Sequence, residues 1–216
     1  MNSTWQVGID IGGTFTDVIA IQPSTGKLIE AKVRSHPDDP IAGLLAALEA
    51  VGVSWEQVAD LMHGTTMVTN AIVEDRLAPV ALIATEGFAD TLAIGRQNRR
   101  YLYRLDLEPK LQPQVPEHLR FEVSERLDVR GGVLTPLTPE AIEQSVRKAS
   151  AAGVEAVAVS LLHSYANDAH EEQLGERLRQ VVPYVALSHR ISPEAREYER
   201  TSTTALSAGV MPLAAG

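Results

Sequence analysis

The sequence predicts an α/β fold, a mixed sheet with flanking helices joined to a smaller α/β unit. Three observations predict it. Between residues 7 and 34 apolar residues alternate in three short runs, separated by Gly12-Gly13 and by Pro23-Ser24-Thr25-Gly26, which is the pattern of antiparallel hairpins. Residues 79–84 and 156–162 are largely apolar runs of buried-strand type. Segments with helical spacing alternate with these runs, as in strand–helix–strand units.

The opening hairpin organises the chain. Val7, Ile9 and Ile11 share one strand face, so Gly8, Asp10 and Gly12 share the other, and Asp10 points away from the apolar side. Gly12-Gly13 predicts a tight turn with positive φ, and the returning strand brings Thr14 and Thr16 close to it. Successive backbone N–H groups in such a turn form a nest for an anion. A carboxylate at Asp10 repels bare phosphate but suits a phosphate that arrives with Mg²⁺, a hard cation that prefers oxygen ligands. The implied ligand is a metal–nucleotide complex. No Gly-Lys-Ser/Thr follows, and the third glycine of a dinucleotide fingerprint is missing. The competing reading is an ordinary Gly-Gly hairpin with polar strand ends.

A third strand is expected over 27–34. Asp39 as N-cap and Pro40 as first helical residue start a helix through Ile41, Leu44, Leu45 and Leu48, which Gly52 ends. Ser54 with Gln57 caps a short helix ahead of a strand at 60–63. Gly64-Thr65-Thr66 then hands over to a helix through Val68, Ile72 and Val73, where Thr66 and Asn70 share a face. Taken alone, that pair reads as a plain N-cap and a surface asparagine, and His63 as a hydrogen-bonded structural histidine. Glu86 follows the strand at 79–84, at the carboxyl end where ligands gather in open α/β sheets; a solvated loop glutamate is the alternative. Residues 94–104 are basic, with Arg96, Arg99, Arg100 and Arg104 interleaved with Tyr101 and Tyr103, which describes a solvated face or a domain contact.

The prolines of 106–116 predict an extended connector. Residues 122–128 and 133–134 flank Arg130-Gly131-Gly132 as a second hairpin. Thr138-Pro139-Glu140 starts a helix that Gly153 stops, and 156–162 is the next strand. Asp168 with Glu171 forms a capping box for a helix carrying Leu174, Leu178 and Val181; a strand at 184–187 follows. Ser192-Pro193-Glu194 opens the last helix, on which Arg196-Glu197-Tyr198-Glu199-Arg200 reads as a salt-bridged surface. The change of period divides the chain into 1–135 and a second α/β unit over 136–216.

Composition removes several function classes. Lys+Arg number 19 against 28 Asp+Glu, a net charge of −9, which argues against nucleic acid and anionic membrane as partners. With no cysteine there is no disulfide, thiolate metal site or cysteine nucleophile. Met-Asn-Ser-Thr-Trp lacks the charged and apolar regions of a secretory leader, and no apolar run nears the roughly 20 residues that span a bilayer. A soluble, cytoplasmic protein is expected.

Gly8-Ile9-Asp10-Ile11-Gly12-Gly13-Thr14 resembles the first phosphate loop of the actin-like ATPase superfamily. The continuation Phe15-Thr16-Asp17 narrows the likeness. With His63-Gly64-Thr65-Thr66-Met67-Val68-Thr69-Asn70-Ala71, Thr85-Glu86-Gly87-Phe88-Ala89-Asp90, Ile94-Gly95-Arg96-Gln97 and the Arg196–Arg200 motif, the chain is similar to the N-terminal region of the hydantoinase A/oxoprolinase family. The resemblance implies a ribonuclease H-like, actin-like ATPase fold. It also implies an ATP-dependent hydrolase that phosphorylates the oxygen of a cyclic amide before hydrolysing it, with ketone carboxylation as the variant in related members. ATP and Mg²⁺ are the implied cofactors. Asp10 would hold the metal and, with Asp17 and Thr66, serve catalysis. Gly12, Gly13, Thr14, Thr16, Gly64, Thr65 and Asn70 would bind the nucleotide; His63, Glu86, Arg96, Glu197 and Arg200 would meet substrate or an interface.

In that family a larger C-terminal domain with a second phosphate loop follows, so a partner domain or subunit, in an oligomer or hetero-complex, is expected to complete the cleft. A sugar kinase of the same superfamily fits Asp10-Ile11-Gly12-Gly13-Thr14 but neither Phe15-Thr16-Asp17 nor His63-Gly64-Thr65-Thr66. A non-catalytic assembly module is the remaining alternative.

Overall fold

The computed structural model describes residues 4–36, 39–98, 103 and 113–215. It divides into two compact units, Met1–Arg76 and Leu77–Gly216. The change of period near residue 136 therefore falls inside the second unit, which is the longer one. Arg99, Arg100, Tyr101 and Arg104 of the basic stretch, and the connector up to residue 112, lie outside the described residues.

In the first unit, β1 (Trp5–Ile11), β2 (Phe15–Gln22) and β3 (Lys27–Arg34) form an antiparallel meander. Helix α1 (Pro40–Ala50) leads to β4 (Val58–Thr65), parallel to β1, and to the short α2 (Met67–Val73). The sheet order is β3-β2-β1-β4. Alternation works as the sequence implies. Trp5, Val7 and Ile9 of β1 and Val18 and Ala20 of β2 are buried with Ala47, Leu48, Val51 and Val53, while Asp10, Asp17 and Ile19 stay on the open face. Fully burying one such valine or leucine stabilises the unit by about 1.5–3 kcal/mol, so this face fixes the register of the whole sheet. Asp39 caps α1 by accepting from the Ala42 amide at 2.9 Å, and Gln57 Oε1 accepts from the Ser54 amide at 3.1 Å.

The second unit contains β5 (Val80–Thr85), α3 (Thr91–Ile94), β6 (Arg120–Val123), β7 (Arg126–Leu127), β8 (Val133–Thr135), α4 (Pro139–Ala151), β9 (Ala156–Ser160), α5 (Ala169–Leu178), β10 (Tyr184–Leu187), α6 (Ser188–Ile191) and α7 (Glu197–Ala215). Its main sheet is parallel, ordered β10-β9-β5-β6. β5 and β9 are buried along their whole length, the reason their sequences do not alternate. β5 thus opens a second sheet instead of extending the first.

Three other expectations are corrected. Residues 122–128 are not one strand: β6 joins the parallel sheet, and only β7 pairs with β8 in the hairpin. Asp168 precedes α5 without a side-chain cap, and Glu171, the other half of the expected capping box, turns into the core. The last helix starts at Glu197, five residues beyond Ser192. No helix among the described residues is long and apolar enough to cross a membrane.

Candidate functional site

The site in the first unit is a row of side chains across four strands. Lys32 on β3 pairs with Asp17 on β2, Asp17 with Asp10 on β1, and Asp10 with Gly64 on β4. Paired residues project from the same face, so all four line one open cleft of about 740 Å³ together with Gly8 and Met62. Two carboxylates directly opposite one another repel. Lys32 answers only one of them, with its ammonium 2.7 Å from Asp17. Among the described residues Asp10 makes no hydrogen bond or ion pair, and Gly64, having no side chain, leaves the carboxylate open on the β4 side. The row therefore carries one uncompensated negative charge at Asp10, which is chemistry for a cation. No group of three histidine, aspartate or glutamate side chains that could hold a metal ion occurs among the described residues. A metal at Asp10 would complete its shell with water and phosphate oxygens, as Mg²⁺ does in nucleotide sites.

Beyond Asp10 the strand runs into the glycine turn. The turn does not use positive φ, contrary to expectation; its glycines are required by close approach. A Cβ on Gly12 would lie 2.8 Å from the Phe15 carbonyl oxygen, and one on Gly13 would lie 3.3 Å from Asn70 Nδ2. The second motif closes around this turn. The Thr66 amide and the Thr65 hydroxyl each donate to the Ile11 carbonyl at 3.3 Å, and Asn70 Nδ2 donates to Thr66 Oγ1 at 3.3 Å. Gly12, Gly13, Thr65, Thr66 and Asn70, though up to 58 positions apart, thus meet at one place. Thr14 is exposed at the tip of the turn.

Two expected members have side chains on the other side of the sheet from Asp10, although His63 still borders the cleft. Thr16 pairs with Ile11, so strand parity puts it on the buried side; it is fully buried and its hydroxyl lies 3.0 Å from Ser35 Oγ. It supports the turn from beneath. His63 pairs with Ile9 and so projects from the face opposite Asp10.

The remaining candidates lie in the second unit. Glu86 is exposed just past β5, where its amide donates to the Val123 carbonyl at 3.0 Å. Arg96 pairs with Glu199 at 2.7 Å and lies over the Tyr198 ring, so the Ile-Gly-Arg-Gln and Arg-Glu-Tyr-Glu-Arg motifs meet each other. The hydrogen bond to Glu199 raises the already high pKa of Arg96. Arg200 corrects the reading of a charged helix surface. It is fully buried, paired with Glu197, and donates to Ser164, to the Leu161 carbonyl at 2.9 Å and to Ser188 at 3.2 Å.

Around Arg200 lies a polar core at the carboxyl ends of β5 and β9. Buried Glu171 accepts from the Leu161 amide at 2.8 Å, from Ser188 at 2.6 Å and from His189. His189 bridges Glu171 and Glu172, and the hydrogen bond to Glu171 is the largest of the effects that raise its pKa against the cost of burial. Glu125 pairs with His170 at 2.7 Å and accepts from Thr85.

The family model of the hydantoinase/oxoprolinase N-terminal region matches residues 6–182. The chain belongs to this family. An uncharacterized protein of Methanocaldococcus jannaschii is 38% identical over 214 residues, covering 97% of this chain and 31% of that protein. The caprolactamase subunit alpha of Pseudomonas jessenii is 33% identical over 220 residues, covering 97% of this chain and 32% of the subunit. A nucleotide-free acetone carboxylase structure superposes with a TM-score of 0.86 at 28% identity, over 98% of this chain and 33% of that one. The fold is thus the mixed α/β arrangement of the actin-like ATPase type. The chain spans about a third of the length of the curated relatives it matches.

Three residues of this hydantoinase/oxoprolinase region escaped the sequence reading. Ser35 binds the glycine turn from beyond β3, Lys32 neutralises Asp17, and Glu122 Oε1 accepts from the Gly87 amide at 2.9 Å, holding the turn after β5. Only Lys32 left a signal: with β2 and β3 joined by a short turn, their register pairs it with Asp17.

Proposed function

We propose that the chain is the ATP-binding N-terminal part of an ATP-dependent cyclic-amide hydrolase. The observation that carries this reading is the loop itself. One uncompensated carboxylate, Asp10, lies two residues before a glycine turn on which Thr65, Thr66 and Asn70 converge. Asp10 would hold Mg²⁺, which would neutralise phosphate charge; Gly12, Gly13 and Thr14 would take the phosphates; Asp17, held by Lys32, orients the row; Gly64 leaves room beside Asp10; and Thr65, Thr66 and Asn70 hold the turn. Catalysis of phosphoryl transfer is mostly positioning and charge neutralisation, which such a loop supplies. The amide oxygen attacks the γ-phosphorus and ADP leaves; water then adds to the activated carbon, the C–N bond breaks with the nitrogen leaving as the protonated amine, and a second water hydrolyses the acyl phosphate so formed to carboxylate and phosphate. A phosphorylated oxygen leaves where a bare amide oxygen does not. The ATP-dependent caprolactamase structure, at 31% identity and a TM-score of 0.79, supports a lactam-like substrate.

Ketone carboxylation is the second reading, favoured by the acetone carboxylase superposition. It shares the first step, with an enolate oxygen in place of the amide oxygen. Either activity needs the portion that the relatives' other two thirds represent, as a further domain or a partner subunit. The test is calorimetric titration with Mg-ATP, with Asp10→Ala in parallel. Saturable binding weakened at least tenfold in the variant, with unchanged melting, is expected; equal affinity in both proteins would remove Asp10 from the site.

A further inference from the structure

Four backbone carbonyls around the glycine turn are held by protein donors. Ile11 O accepts from Thr66 N and Thr65 Oγ1, and Phe15 O accepts from Gly12 N at 3.0 Å. The other two, Gly12 O and Thr14 O, are both taken by Ser35, which follows β3 directly. Its hydroxyl donates to Gly12 O at 2.7 Å and its amide to Thr14 O at 3.0 Å. A serine hydroxyl carries one proton. With that proton on Gly12 O, the 3.0 Å contact between Ser35 Oγ and Thr16 Oγ1 runs from Thr16 as donor to Ser35 as acceptor. The result is a directed relay, Thr16 to Ser35 to Gly12 O, in which each bond polarises the next.

The consequence lies in the peptide plane. In a trans peptide the carbonyl and the following N–H point in opposite directions, so fixing Gly12 O toward Ser35 fixes Gly13 N–H away from it. Among the described residues neither Gly13 N–H nor Thr14 N–H meets a protein acceptor. The peptide between two glycines has no Cβ on either side to resist a flip. A flipped plane would turn the negative end of the carbonyl to where the positive N–H had been, exchanging attraction of an anion for repulsion.

We infer that Ser35 is the positioning residue of this loop, holding the Gly12–Gly13 peptide so that Gly13 N–H faces the phosphate, with Thr16 fixing the direction of the Ser35 hydroxyl; the inference rests on the phosphate-binding reading proposed above. Asp10 supplies the cation's partner, and Ser35 orients the amide that is the anion's.

The experiment compares the full chain with Ser35→Ala and Ser35→Thr, which keeps the hydroxyl. Two readouts are used: Mg-ATP affinity, and the residual dipolar coupling of Gly13 N–H, which reports the orientation of the peptide without nucleotide. Loss of one such hydrogen bond predicts about tenfold weaker Mg-ATP binding and a changed Gly13 coupling for Ser35→Ala, both restored by Ser35→Thr. Unchanged affinity or an unchanged coupling in Ser35→Ala overturns the inference. If wild type binds no Mg-ATP, the phosphate-loop reading fails for this chain, and the coupling still decides whether Ser35 holds the peptide. Should Ser35→Ala not fold, Ser35→Cys, close in shape and a weak donor, takes its place.

Discussion

The two sheets treat the polar residues at their ends in opposite ways. At the end of the first sheet charges are few and exposed, and Asp10 is left without a protein partner among the described residues. At the carboxyl ends of β5 and β9 polar groups are numerous and buried, and bond to one another; among the described residues only Arg200 Nε is buried without a partner. The second region has more titratable chemistry, yet the first has the better claim to a ligand. A group already engaged by its neighbours holds the fold, whereas one that the fold leaves unengaged is available to something else.

The largest effect expected from this contrast is at Arg200. Arg200→Leu leaves Glu197, Ser164 and the Leu161 carbonyl without their common donor in a buried place, and should destabilise the second unit by about 3–5 kcal/mol in denaturant unfolding. The first loop should keep its Mg-ATP affinity. A stable Arg200→Leu protein with weakened nucleotide binding would reverse the roles of the two regions.

A smaller effect lies at the His189 clamp. The Glu171 hydrogen bond, against the cost of burial, raises the folded-state pKa of His189; Glu172 is pushed up by burial but held below its ordinary value by Arg190 and His189. A raised histidine stabilises the fold fully below its unfolded value of about 6.5, and that stabilisation fades as pH rises through the folded value. A lowered glutamate contributes above its unfolded value of about 4.3 and fades as pH falls through its folded value. The clamp should therefore be strongest between about pH 4.5 and 6.5. Melting temperature should decline above that window, and His189→Gln should flatten the decline. A profile that His189→Gln leaves unaltered would show that the imidazole is neutral in the fold.

Legibility followed the same division. The hairpin, the cap at Asp39 and the exposed face of Asp10 depend on residues close in sequence, so alternation and turn chemistry revealed them. The row from Lys32 to Gly64 needs the parallel pairing of β4 with β1, which no local pattern states; the convergence of Thr66 and Asn70 on Gly12-Gly13 depends on the same pairing and was not legible, the family motifs having implied only that both groups serve one nucleotide site. Thr16 was misread because nearness to the turn outweighed parity, although its two-residue spacing from Val18 already assigned it to the buried side. Glu171 satisfied the capping-box spacing but found stronger partners in the core, where tertiary bonds override a local motif. Arg200 defeated the reading of a charged run as surface, since charge pairs along a helix look alike in sequence whether solvent or Leu161 lies beside them.

The finest test of the contrast is Lys32→Ala. The Lys32–Asp17 pair is more than half exposed on both sides, so its removal should change stability by less than about 0.5 kcal/mol. It should nevertheless change the site, because Asp17 then stands beside Asp10 as a second uncompensated carboxylate. A unit charge about 5 Å from a bound cation contributes roughly 0.8 kcal/mol in water, so affinity for Mn²⁺, followed by its paramagnetic resonance, should rise about threefold to fourfold. Asp10→Asn in the same background should remove the gain. Unchanged Mn²⁺ affinity would place Asp17 and Lys32 outside the cation site and reduce the row to Asp10 alone. A stability loss above about 1 kcal/mol would mean that the first sheet's charges are structural as well, and that the two regions differ in exposure but not in role.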